Sequence, residues 1–230
     1  MTSLVTFEET EKYSQITLDD GKANALSPDM IAEIDSALDQ AEAAGKVIVI
    51  AGRPGKFSAG FDLSVMGQGG DVTTKLLRDG ANLSLRLLKS KTPVVLAATG
   101  HALAMGGLLL LSGDYRIGAK GNYKIGVNEV AIGMTMPYFG VILGEARLAR
   151  NYISRAVVCA QLYDAEEAVN AGFLDEAVDE GDVIARAQAV AEQLSGVNME
   201  AHYGTKCRVR EAMYPAMEAA ISEELKLQGG

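Results

Sequence analysis

Two stretches of mostly small residues constrain this chain more than anything else in it: Phe57-Ser58-Ala59-Gly60-Phe61-Asp62-Leu63 and Gly100-His101-Ala102-Leu103-Ala104-Met105-Gly106-Gly107. Each follows an apolar run, Lys46 to Ala51 and Pro93 to Ala98, that reads as a buried strand. Each is also built from residues that let a ligand approach the backbone. Two such turns side by side could aim two backbone N–H groups at one oxygen, the arrangement of an oxyanion hole.

Composition narrows the partners. With 230 residues, 48% of them hydrophobic, the chain can bury one large core. The 21 basic residues face 30 acidic ones, for a formal charge of −9 with no basic block, which argues against nucleic acid. An anionic ligand therefore needs a local basic pocket. Two cysteines, Cys159 and Cys207, fit neither a CxxC motif nor a zinc knuckle; a reducing, cytoplasmic setting is expected, with both thiols as packing residues. No leader pattern or membrane-spanning run is visible. His101 and His202 are the only histidines, so no metal is expected. His101 is read as packed, its ring hydrogen-bonded to backbone. A GxSxG elbow and a GxGxxG fingerprint are both missing.

Patterning along the chain predicts a hairpin over Leu4 to Leu18 and a helix that Ser27 caps, Pro28 begins and Gly45 ends. The buried side of that helix is Met30, Ile31, Ile34, Ala37, Leu38 and Ala41. Strands are expected at Val47 to Ala51, Pro93 to Ala98, Tyr115 to Ala119 and Leu174 to Val178. Helices are expected at Val72 to Leu88, Met105 to Ser112, Tyr138 to Arg150, Ser154 to Ala160, Ala165 to Ala171, Val183 to Leu194, and Met199 to Leu227 with a break at Pro215. A strand-rich first part joined to a helical tail fits an α/β class.

The ordered segments Lys22-Ala-Asn-Ala-Leu26, Phe57 to Leu63, Gly100 to Arg116, Gly126 to Gly133 and Ala165 to Val178 resemble the crotonase (enoyl-CoA hydratase/isomerase) superfamily over nearly the whole chain. The resemblance implies a spiral of ββα units over 1–178. It also implies a helical segment over 179–230 that packs on the core or on a neighbouring subunit in a trimer or hexamer. The ligand it implies is an acyl-CoA thioester, with coenzyme A part of the substrate and no separate cofactor. By register the thioester oxygen meets the backbone N–H groups of Phe61 and Met105, with Gly106 as the alternative second donor. Lys22, Ala23, Leu26, Ser58, Ala59 and Asp62 match the segments that flank the CoA moiety.

Hydratases of the family use two glutamates. Here the first position holds Leu108, which cannot transfer a proton, and the second holds Glu129. That single-carboxylate pattern is similar to the mitochondrial-type Δ3,Δ2-enoyl-CoA isomerases. Glu129 is expected in an apolar pocket with Leu108, Val130 and Met134, where desolvation raises its pKa toward neutrality. Without the family register it reads as a solvated carboxylate or as a partner of Arg116 or Lys124. A hydratase or hydrolase of the same fold, and a non-catalytic acyl-CoA-binding homologue, stand as alternatives. Lys206, Arg208 and Arg210 could lend charge to the CoA 3′-phosphate, in this chain or from a neighbour, but read first as a solvated helix face. Met213, Met217, Ala220 and Ile221 are expected at subunit contacts.

Overall fold

The computed structural model describes residues 3–227. Strands β1 (Val5–Glu9) and β2 (Tyr13–Leu18) form the antiparallel hairpin, and helix α1 (Pro28–Ala44) follows. Its ends are held as the sequence predicts: the Ser27 hydroxyl accepts from the Met30 N–H at 3.1 Å, and Gly45 takes the left-handed φ of 66°. Its buried residues are the six expected.

Three strand pairs then repeat one pattern. In β3 (Val47–Ala51) with β4 (Gly55–Ser58), β5 (Val94–Ala98) with β6 (Gly100–Leu103), and β7 (Tyr115–Ala119) with β8 (Ile125–Gly126), the first member joins a large sheet and the second a small one. The large sheet has the order β1-β2-β3-β5-β7-β9, closed by β9 (Glu176–Val178); the small parallel sheet is β4-β6-β8. Helices follow each pair. The first pair leads to α2 (Leu63–Met66) and α3 (Gly70–Lys89), the second to α4 (Met105–Ser112), and the third to a 3-10 turn at Val130–Ile132 and α5 (Tyr138–Arg147). This is the spiral of ββα units.

Strands β3 and β5 are apolar throughout because both faces of the large sheet are covered. Ile48, Ile50, Val94 and Leu96 face one core; Val47, Val49, Ala51, Val95 and Ala97 face a second one, roofed by Val183, Ala187, Val190 and Ala191 of α7 (Val183–Leu194). A π-helical turn at Ser154–Val158 and α6 (Ala165–Ala171) lie between α5 and β9.

Several expectations are corrected. The small-residue stretches are not simple turns: each begins with a strand of the small sheet, β4 or β6, too short and glycine-rich to show alternation. The C-terminal helix breaks not at Pro215 but before it, into α8 (Met199–Val209) and α9 (Met213–Leu227). Pro215 sits in the first turn of α9, where its missing N–H costs nothing. Met213, Met217, Ala220 and Ile221 are buried in the chain's own core, where α9 packs on α5 and α3, so they are not free for a neighbour. Cys159 is exposed rather than packed. Lys206 and Arg210 are buried and ion-paired to Asp114 at 2.6 and 2.8 Å. Among the described residues no helix is long and apolar enough to cross a membrane.

Candidate active site

Backbone hydrogen bonds bring the segment Lys22 to Leu26 against the turn after β4. The Ala59 N–H donates to the Ala23 carbonyl at 3.0 Å, Leu26 N–H to Gly60 at 2.8 Å, and Asp62 N–H back to Leu26 at 3.2 Å. Asn24, which the sequence analysis passed over, organises this junction. It is fully buried at a left-handed φ of 51°, and its amide donates to the carbonyls of Leu18, Lys56 and Phe57. Asparagine tolerates that conformation better than most residues, and its position between small residues was the available signal. Asn24→Ala is expected to cost about 2 kcal/mol or more, since three carbonyls lose a donor, two of them in fully buried bonds; a urea midpoint equal to the parent's would remove it from this role.

Of the residues expected to flank a CoA ligand, Lys22 and Ala59 are exposed, Ala23 and Asp62 are half-buried, and Leu26 and Ser58 are fully buried. The last two, at 0% exposure, present no surface to a ligand and act by holding the two segments together. The Ser58 hydroxyl donates to the Asn24 carbonyl at 2.8 Å and accepts from the Gly60 N–H at 3.2 Å. Asp62 caps α2 by accepting from the Ser64 N–H at 2.8 Å.

The second turn lies directly against the first. A Cβ on Gly60 would stand 2.7 Å from the Ala104 Cβ and 3.1 Å from the Met105 nitrogen. Gly60 also has φ +89°, so only glycine serves there. Helix α4 starts at Met105, every residue of it buried. Its glycines permit the approach: a Cβ on Gly106 would collide with the Ser58 carbonyl, and one on Gly107 would lie 2.6 Å from the Gly126 carbonyl. The start of α4 is thus wedged between the ends of β4 and β8. Among the described residues neither the Phe61 nor the Met105 N–H donates to a backbone carbonyl.

Ala104, immediately before α4, holds φ 50° and ψ −124°, a conformation that belongs to glycine. Such strain gathers at sites where geometry matters more than stability. Ala104→Gly is expected to stabilise the fold by about 1 kcal/mol; an unchanged or lowered denaturant midpoint would contradict the strain.

Glu129 enters from the third unit, after β8. It is 5% exposed, and its Oε2 has no hydrogen-bond partner among the described residues. Burial pushes its carboxyl up to about 7, against weaker downward pulls from the backbone N–H groups of Glu129 and Asn128. It pairs with neither Arg116, which binds Asp175 at 2.8 Å, nor Lys124. With Asn128, whose buried Oδ1 is also unpartnered, it lines a cavity of about 100 Å³ together with Ala59, Phe61, Ala104 and Met134. Two orphaned acceptors on one cavity mark a site built for a polar guest.

Glu129 is the one titratable side chain on that lining. Leu108 is not on it: its side chain is 1% exposed, inside the main core. Val130 turns outward, 44% exposed, onto a neighbouring apolar groove that shares Met134 with the cavity. His101 is held as expected, its Nδ1 accepting from the Lys124 N–H at 3.0 Å and its ring edge-on to Tyr123. Among the described residues no three acidic, histidine or cysteine side chains are grouped as metal ligands.

A family model for enoyl-CoA hydratase/isomerase matches residues 8–229. The chain belongs to the enoyl-CoA hydratase/isomerase family. This family's members among its relatives carry both activities in their names. The human mitochondrial enoyl-CoA delta isomerase 1 is 31% identical over 194 residues, which cover 82% of this chain and 64% of that protein. The short-chain-enoyl-CoA hydratase of Clostridium acetobutylicum is 28% identical and covers 98% and 88%. An enoyl-CoA hydratase/isomerase family protein from Pseudomonas syringae superposes with a TM-score of 0.96 at 41% identity, covering 98% of each chain. The human mitochondrial delta3-delta2-enoyl-CoA isomerase superposes at 0.90 with 26% identity, covering 97% of this chain and 91% of that one. The family assignment makes the chain an acyl-CoA enzyme of the hydratase/isomerase type.

Proposed function

We propose that the chain is a Δ3,Δ2-enoyl-CoA isomerase in which Glu129 carries the proton. The observation that supports this most is the cavity with a single titratable lining residue, a carboxyl poised at about 7. The α-proton of a thioester is weakly acidic, so removing it needs a stabilised enolate oxygen and a base at the carbon. The Phe61 and Met105 N–H groups, free of backbone acceptors, supply the first at roughly 3 kcal/mol each. Glu129 takes the proton from C2 and returns it at C4. Its near-neutral pKa suits both steps. Adding water usually employs a second carboxylate, and by the family register that position is held by Leu108, which cannot transfer a proton.

The paired segments Lys22 to Leu26 and Ser58 to Asp62 are the proposed seat of the CoA moiety, with Lys22 as its point charge. Incubating the purified chain with a 3-enoyl-CoA and with a 2-enoyl-CoA tests the reading. A shifted double bond supports it; a 3-hydroxyacyl-CoA or free CoA as main product rejects it in favour of hydration or hydrolysis.

A trimer or hexamer belongs to the same proposal. With the α9 residues committed to the chain's own core, the support comes from apolar side chains left exposed near the site, Val130, Ile132 and Val158 at 44 to 65%. Sedimentation equilibrium at micromolar concentration is expected to give a multiple of three protomers; a stable monomer rejects the assembly.

A further inference from the structure

We propose a second ligand site, for a phosphate monoester, at the opposite end of α4 from Met105. A pocket of about 530 Å³ opens there, walled by Asp114, Arg147, His202, Lys206 and Arg210. It is separated from the Glu129 cavity by the length of α4, about 12 Å at 1.5 Å per residue, and the two share no lining residue.

The charge of the pocket favours an anion. Three cations, Arg147, Lys206 and Arg210, meet one carboxylate, Asp114, which leaves an excess of two positive charges. Arg116 adds nothing to the count, because Asp175 pairs it through both oxygens. In a chain with a net charge of −9 such an excess stands out, and its magnitude matches a phosphate dianion.

Its unused nitrogens favour one too. Lys206 Nζ is spent on Asp114 and the Ser90 and Thr92 carbonyls, and Arg210 on Asp114 and the Leu88 carbonyl. Arg147 Nε and Nη2 cap the end of α4 through the Leu111 and Gly113 carbonyls. Its Nη1 has no acceptor among the described residues. His202 Nε2 is buried and also unpartnered. A helix-capping role accounts for the satisfied donors and leaves these two nitrogens unused on residues that line the same pocket. Like charges support the point: burial and then Arg116 and Arg210 push Arg147 down to about 10, a strain that a bound anion relieves.

The pocket is larger than a bare phosphate needs, which gives room for an esterified group. The chain's only histidines make the test direct, since His202 reports on the pocket and His101 lies elsewhere, beside Tyr123. Imidazole resonances of the full chain are followed across pH, at fixed ionic strength, with tens of millimolar inorganic phosphate, glycerol 3-phosphate or malonate. Phosphate and its ester are expected to raise the His202 midpoint by about one pH unit, leave His101 in place and raise the melting temperature. A stronger response to glycerol 3-phosphate assigns the remaining space to the ester; equal responses assign the site to free phosphate.

Ala201→Glu puts a carboxylate at the exposed mouth without touching the buried cations, and it is expected to abolish the response. Four results would overturn the site: a His202 midpoint that does not move, equal movement of both histidines, an undiminished response in the Ala201→Glu chain, or a response to malonate alone.

Discussion

Glu129→Gln is expected to lower double-bond migration by about 10³-fold or more while leaving acyl-CoA binding within a few-fold, because it removes the proton acceptor and keeps the shape. The parent's kcat/KM should rise with pH through about 7, as the carboxyl gives up its proton and becomes a base. Stability should run the other way. The unfolded chain ionises this group near 4.5 and the folded chain near 7, so the parent loses stability as pH climbs between them. That displacement corresponds to about 3 kcal/mol as an upper bound. The glutamine chain should therefore be the more stable one at pH 8 and no better at pH 4. Near-parental turnover in the variant would remove Glu129 from the chemistry, and parallel pH–stability curves would remove its raised pKa.

The second large effect is expected from Met105→Pro. Proline is tolerated at the first position of a helix, and Met105 occupies that position in α4. The substitution thus deletes one N–H without requiring the helix to break, and a loss of about 10²- to 10³-fold in kcat is expected. Met105→Leu keeps both the N–H and most of the buried volume and should retain activity at a cost under about 1.5 kcal/mol. The comparison holds if the proline chain keeps the parent's melting behaviour and oligomeric state. Full activity in a folded proline chain would move the donor to Gly106 or away from this turn.

Local rules carried the reading of the sequence where one element answered to one signal. Ser27, Pro28 and Gly45 bounded α1 to the residue, and the wholly apolar run Met105 to Leu111 could only be a helix buried on every side. The small sheet escaped because β4, β6 and β8 are two to four residues long and hold their register through glycine contacts between distant segments. Periodicity cannot see such strands. Lys206 and Arg210 were misread for a related reason: their partners are Asp114 and the carbonyls at the end of α3, far away in sequence. Of the candidate site, Glu129 and the two glycine-bearing turns were legible through the family register. The outward turn of Val130 depended on the 3-10 turn after Glu129, and the withdrawal of Leu108 into the core on the packing of α5, whose Gly140 lies against it.

The three strand pairs have a consequence for how this chemistry can change. Phe61, Met105 and Glu129 each follow a different pair, and at the small sheet the pairs meet through backbone ladders and close glycine contacts. On the proposed mechanism, the parts that hold the oxygen and the part that moves the proton are therefore inherited as separable modules. Drift in the segment after β8 can alter what happens to the enolate without disturbing the donors that create it. Randomising that segment alone, with β4, β6 and α4 untouched, offers a route to new reactions on one unchanged activation step.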